Sequence, residues 1–209
     1  MKILAVSDIV LDQLYSPLIR ERFSEVDLAL GCGDLPYYYL EYILTALNVP
    51  MFFVRGNHAN IVEYSANGQR THPHGAIDLH RHTVCHEGLL IAGIEGSLRY
   101  NNGPFQYTQA EMWEHVLFLV PQLLYNRIRY GRFLDILMTH ATPWGIHDQP
   151  DRPHQGIKAF NWLIRTFKPR YHLHGHIHIY NSFAKTETLH QQTQVINVYG
   201  YRQLEIFPL

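Results

Sequence analysis

Charge is scarce in this sequence: Asp, Glu, Lys and Arg make up 17% of its 209 residues, and 17 basic against 18 acidic side chains leave a net charge of −1. Binding to a nucleic-acid polymer or an anionic bilayer through bulk electrostatics needs a basic surface, so neither partner is expected. A small phosphorylated molecule is not excluded, because it needs positive charge at one place only. Cysteine is scarcer still. Cys32 and Cys85 lie in unrelated contexts without CxxC spacing, which reads as two reduced, packed thiols in a cytoplasmic protein. No apolar run approaches the ~20 residues of a membrane span. The run from Ile3 to Val6 is too short for the core of a secretory signal. The expectation is a soluble cytoplasmic chain. No repeat, linker or composition shift divides it, so residues 1–209 read as one domain, long enough to bury a core without covalent staples.

Histidine is what the chain has in excess, 15 in all. Several of these follow directly on short apolar runs. Lys2 to Val6, Val26 to Leu30 and Pro50 to Val54 read as buried strands, separated by helical spacing over Tyr15 to Phe23 and Leu40 to Leu47. This β-α-β-α-β rhythm predicts a largely parallel sheet with helices packed on it, and such sheets bind ligands beyond the carboxyl ends of their strands. Residues 65–82 show no clear period and are expected to form a polar loop. Leu89 to Ile94 and Leu134 to Met138 resume strand character. Thr108-x-x-Glu111 resembles a capping box, and Pro121 inside the following helical stretch predicts a kink or two helices before Tyr130. Ile157 to Phe167 is an amphipathic helix stopped by Lys168-Pro169. Tyr171 to Tyr180 alternates with histidine at 172, 174, 176 and 178, and Val195 to Val198 and Gln203 to Phe207 read as closing strands.

Five segments at these strand ends carry the chemistry: Ser7-Asp8, Gly33-Asp34, Gly56-Asn57-His58, Thr139-His140 and Gly175-His176-Ile177-His178. Carboxylate, amide oxygen and imidazole are the ligands that hard and borderline divalent metals take, and the mixture is compatible with Mn, Fe, Co, Ni or Zn. A neighbouring glycine lets the backbone turn sharply and come close to an ion. Singly, each segment has an ordinary competitor. Asp8 serves equally as a helix N-cap, Gly33-Asp34 and Asn57-His58 as turns, and the histidine row as the polar face of a half-exposed strand. Five in this order are hard to obtain from caps and turns alone.

The order Asp, Gly-Asp, Gly-Asn-His, His, Gly-His-x-His resembles the calcineurin-like metallophosphoesterase superfamily, over nearly the whole chain from Asp8 to His178. The resemblance implies an α/β fold, a four-layer α-β-β-α sandwich of two mixed β-sheets flanked by helices. It implies that Asp34 bridges two divalent ions, that Asn57, His140 and His176 complete one site, and that Asp8 and His178 complete the other. His58 would be the catalytic residue, stabilising the transition state or protonating the leaving oxygen. A hydroxide between ions ~3.5–4 Å apart would attack phosphorus in line.

Two positions depart from that pattern. The first motif is Asp-x-His in the family, and here it reads Asp8-Ile9-Val10; valine cannot ligate a metal. Water or substrate fills the vacancy, or another residue does, the cluster His147, Asp148, Asp151 and His154 being the nearest source, or the chain uses one ion or none. Ala59 replaces a customary acid beside Asn-His, an effect expected at one remove from the ion. The loop carrying His147, Asp148 and His154 is also the expected substrate contact, set against an ordinary solvated loop. Tyr37, Tyr38 and Tyr39 are read as core or interface rather than cleft, and His72, His74, His80 and His82 as surface. The function expected is hydrolysis of a small organic phosphate ester, with a diester favoured. The alternative is a catalytically weak or inactive scaffold of the same fold that binds metal or a protein partner. Self-association as a homo-oligomer is open.

Overall fold

Short strands of Val, Ile, Leu and Phe bounded by glycine and polar residues can be satisfied only if both faces are covered, and this chain covers them with helices on one side and a second sheet on the other. The computed structural model describes residues 1–65, 68–181 and 183–207. The amino-terminal run comprises β1 (Lys2–Ser7), α1 (Ile19–Arg22), β2 (Leu28–Cys32), α2 (Tyr37–Leu47) and β3 (Met51–Val54). A hairpin of β4 (Glu63–Ser65) and β5 (Gly68–Arg70) follows, then β6 (Ala76–Asp78). Next come β7 (Thr83–His86), β8 (Leu89–Ile94), β9 (Ser97–Leu98), β10 (Gln106–Tyr107) and α3 (Gln109–Tyr130). The chain closes with β11 (Ile136–Thr139), α4 (Lys158–Phe167), β12 (Tyr171–His174), β13 (Glu187–His190), β14 (Thr193–Asn197) and β15 (Gly200–Glu205).

One sheet has the order β15-β1-β2-β3-β6 and the other β13-β14-β12-β11-β8-β7. In each, parallel central strands carry an antiparallel edge: β15 on β1 in the first, β13 on β14 and β7 on β8 in the second. The layers follow from which side chains alternate inward. Ile3, Ala5, Leu30 and Phe52 of the first sheet meet Ile91, Ile136, Met138 and Ile196 of the second in a core between the sheets. Leu4, Val6, Ala29 and Phe53 point the other way, onto Ile19 of α1 and Leu40 and Ile43 of α2. Ala92, Ile94 and Leu137 pack on Val116, Leu119 and Leu123 of α3 and Phe160 and Leu163 of α4. This is the expected α-β-β-α sandwich of two mixed sheets. Among the described residues no helix is long and apolar enough to cross a membrane.

Several local expectations are corrected. Residues 65–82 are not a structureless loop: they hold the β4–β5 hairpin, the turn of which lies outside the described residues, and β6, a parallel edge strand on β3. Three residues are too few to show a period. Pro121 neither ends nor divides α3, which runs unbroken over 22 residues between its Thr108–Glu111 capping box and a left-handed Gly131. Pro121 lies on the exposed face, where water can take up the carbonyl it leaves without a donor. The helix expected over Tyr15 to Phe23 is reduced to Ile19–Arg22, Pro17 lying just before it. The strand from Tyr171 stops at His174, because Gly175 turns the chain and His176 is left-handed at φ 67°. Cys32 is buried, but Cys85 is an exposed free thiol rather than a packed one. His80 is not on the surface: its side chain is 16% exposed and its Nδ1 accepts the Glu95 amide at 3.2 Å. Tyr37 and Tyr39 are core residues, while Tyr38 is exposed.

Candidate metal centre

All five candidate segments leave the carboxyl ends of parallel strands β1, β2, β3, β11 and β12, and the two sheets bring those ends to one edge. Backbone bonds stitch the segments together there. The Asp8 amide donates to the Gly33 carbonyl at 3.1 Å and the Gly175 amide to the His140 carbonyl at 3.1 Å. Asp8 (φ 69°), Asp34 (φ 54°) and His176 (φ 67°) all adopt the left-handed conformation, which non-glycine residues take rarely and at a cost. Glycines make room for the side chains crowded at this edge. A Cβ on Gly33 would strike the His140 ring, and one on Gly175 would lie 2.6 Å from Asp8 Oδ2.

His140 is fully buried, and its tautomer can be read from its partners. Nδ1 donates to the Cys32 carbonyl at 3.0 Å, which turns Nε2 toward Asp34 Oδ2 at 3.1 Å and Asn57 Oδ1 at 3.0 Å. His176 is oriented in the same way: Nε2 donates to the Pro153 carbonyl at 2.8 Å, leaving Nδ1 free to ligate. Asp34, His140 and His176 each offer a ligand atom within 4.8 Å of the others. With His140 as its free base the centre is a convergence of acceptors, Asp34 Oδ2, Asn57 Oδ1, His140 Nε2 and His176 Nδ1, that needs positive charge at its middle, which without an ion the proton on His140 Nε2 supplies. A divalent cation fits that donor set.

The titration behaviour expresses the same need. Burial opposes charge on His140, yet the facing Asp34 carboxylate more than offsets it and raises the imidazole to about 9. Burial works against the Asp34 charge too, but His140 and the His58 amide, which donates to Asp34 Oδ1 at 2.7 Å, hold its carboxyl at about 2. Burial and the charge of His140 pull His176 down to about 3, so it is neutral and ready to donate its lone pair.

Asp8 and His178 meet beside this group. Both Asp8 oxygens accept the His176 amide, at 3.0 and 3.1 Å, and Oδ1 lies 3.8 Å from His178 Nε2. Burial raises the Asp8 carboxyl above its usual range, and the like charge of Asp34 adds to this. His178 is flanked by Tyr199 at 4.8 Å between ring centroids and receives Tyr180 at 2.9 Å. Val10 is 37% exposed and brings no ligand.

His58 stands exposed at the mouth, with Nε2 3.4 Å from the Tyr100 hydroxyl. That hydroxyl also accepts Asn57 Nδ2 at 3.2 Å, which fixes the amide so that its oxygen, not its nitrogen, faces the centre. Tyr100 was missed in the sequence. It sits in the loop before β10 with no motif around it, and only closure over 43 residues gives it this role.

The loop after β11 divides in two. His154 lies against the His176 ring at 5.3 Å and bonds Asp151 at 2.6 Å, so it borders the centre. His147 is turned away from it: Nδ1 donates to His174 Nε2 at 2.9 Å and Nε2 accepts the Thr188 hydroxyl at 2.9 Å. Asp148 Oδ2 accepts the amides of Gly145 and Gly156, bracing the loop. His147 and Asp148 share with His178 and Lys185 the lining of an open cleft of about 420 Å³.

A two-sheet sandwich with carboxylate, amide and imidazole ligands on its common strand-end edge defines a metallophosphoesterase fold. The sequence profile of the calcineurin-like phosphoesterase family matches residues 1–180, and the chain belongs to that family. Among solved structures, one crystal structure is 17% identical with a TM-score of 0.65, aligned over 97% of this chain and 94% of its own. TT1561 of Thermus thermophilus is 15% identical with a TM-score of 0.61, over 95% and 89%. A single mutant of Vps29 from Entamoeba histolytica is 11% identical with a TM-score of 0.48, over 100% and 87%. Comparison with curated proteins gave no match.

Proposed function

We propose that this chain is a cytoplasmic, metal-dependent phosphoesterase that acts as one domain on a small organic phosphate ester, a diester by preference. The observation that carries the reading is the lone-pair convergence of Asp34, Asn57, His140 and His176, each turned inward by a hydrogen bond on its far side. These four would hold one divalent ion of the Mn, Fe, Co, Ni or Zn group, with Asp8, Asp34 and His178 offering a place for a second. Bound there, the metal would polarise the phosphoryl oxygens and acidify a water. The protein's own groups do the rest. His58, held at the mouth through its amide and Tyr100, gives its proton to the departing oxygen. His147, Asp148 and His154 border the space open to the organic part of the ester.

The alternative, a weakly active or inactive scaffold that binds metal or a protein, draws on Val10, which leaves the second place a ligand short. Chromogenic phosphodiester and phosphomonoester assays on protein stripped and reloaded with Mn²⁺ separate the two. Metal-dependent turnover that drops about 10²–10⁴-fold in His58→Ala, with bound metal unchanged, supports the enzyme. Full metal occupancy without turnover of either ester in the wild type favours the scaffold.

A further inference from the structure

Helix α3 buries Met112, Val116, Leu119 and Leu123 against the second sheet, as an amphipathic helix should. Its opposite face is also apolar, which a solvated helix should not be. Leu117 is 52% exposed, Phe118 54%, Leu124 49%, Tyr125 61% and Ile128 86%, with Pro121 exposed among them. At these fractions the side chains leave on the order of 600 Å² of contiguous apolar surface, at the upper end of what a monomer leaves bare and of a size that is often functional. Arg81, in the turn between β6 and β7, reaches one edge of this face, its guanidinium lying over the Phe118 ring at 4.6 Å; among the described residues no helix or strand covers the rest.

We infer that this face of α3 docks against the same face of a second copy, as two antiparallel helices about a two-fold axis passing near Pro121. Three features of the stripe fit such a partner. Its ends carry opposite charge: Glu114 stands at the amino-terminal end and Arg129 at the carboxyl-terminal end, both exposed and neither in an ion pair among the described residues. A flat anionic membrane would repel one end of that pattern, whereas an antiparallel copy satisfies both. The spacing is symmetric as well. Glu114 and Ile128 lie seven residues either side of Pro121, ~10.5 Å along the axis in each direction, so the axis brings Glu114 to Ile128 and Arg129 of the other copy. The same operation sets Leu117 against Tyr125 and Phe118 against Leu124. Two such faces, wholly covered, bury roughly 1,200 Å² together, which meets the lower bound of a stable specific interface. The metal centre lies on the strand-end edge and takes no part.

Sedimentation equilibrium of the full chain, at concentrations up to on the order of 100 µM, tests this. The wild type should dimerise reversibly, and Ile128→Glu should be monomeric with unchanged circular dichroism. Glu114→Arg and Arg129→Glu should each weaken the dimer about tenfold, and the two together should restore it, since the exchanged charges face each other again. Should Ile128→Glu fail to fold, Pro121→Cys in a Cys85→Ser background decides: near the axis the two thiols oxidise to a covalent dimer. A wild type that stays monomeric, including one that instead binds phosphatidylserine vesicles, overturns the proposal. So does a dimer indifferent to Ile128→Glu, charge exchange without rescue, or a Pro121→Cys protein that fails to cross-link.

Discussion

Loading the centre with a divalent ion should expel one proton, and its source is His140. In the metal-free protein this imidazole sits fully buried between Asp34 Oδ2 and Asn57 Oδ1, with its other nitrogen committed to the Cys32 carbonyl. Burial disfavours its charge, but the facing Asp34 carboxylate lifts its pKa to about 9. An ion can bind Nε2 only as the free base. The sign follows: below about 9 the proton must leave before the metal binds, so affinity rises with pH and levels off above that value. At pH 7, two units lower, the competition costs about 2.7 kcal/mol, or about 100-fold in apparent affinity. Calorimetric titration with Mn²⁺ in two buffers of different ionisation heat counts the protons released. About one proton per first ion is expected at neutral pH, with apparent affinity rising about tenfold per pH unit between pH 6 and 8. A flat affinity over that range, with no proton released, would refute the reasoning, because it would mean that Asp34 does not hold His140 charged.

Acidification should destabilise the fold through the buried neutral histidines behind the centre. His172 and His174 are fully buried, and burial takes His172 down to about 3 and His174 well below its usual value. Below about 6.5 the unfolded chain binds more protons, so stability falls as pH drops; from pH 7 to 5 His172 alone should remove about 2 kcal/mol, with His174 adding in the same direction, and a loss below about 1 kcal/mol in urea unfolding would contradict this. Tyr100→Phe frees the Asn57 amide to rotate and removes the partner of His58, so kcat should fall about ten- to 100-fold while urea stability stays near wild type. Gly175→Ala places a methyl 2.6 Å from Asp8 Oδ2 and should displace that carboxylate. Elemental analysis should then show loss of the more weakly held ion, with the first retained; loss of both would mean that Asp8 supports the whole centre.

The site's framework was legible because each of its segments combines a local and a positional signal. A polar ligand follows an apolar run, and β1, β2, β3, β11 and β12 deliver those ends to one edge whatever the loops between them do. What stayed hidden depends on contacts between residues distant in sequence. Tyr100 acquires its role only when the loop before β10 closes over Asn57. His80 reads as one more surface histidine until the fold lays Glu95 beside it and Tyr107 parallel to it, 6.3 Å away. β6 is a strand only because β3 offers it an open edge.

The same distinction separates the two halves of the centre. Asp34, Asn57, His140 and His176 each have a second hydrogen bond behind the ligating atom, to the His58 amide, the Tyr100 hydroxyl, the Cys32 carbonyl and the Pro153 carbonyl. Such bonds fix orientation before an ion arrives, and they are what raises affinity at a given ligand set. The Asp8–His178 half is braced less evenly. Asp8 gives both oxygens to the His176 amide, and His178 is 40% exposed and 3.8 Å away. On the two-ion reading proposed above, Val10 would leave short of a ligand only the half that the surrounding hydrogen bonds hold more loosely, while the half built on Asp34 and His140 keeps a brace behind every donor.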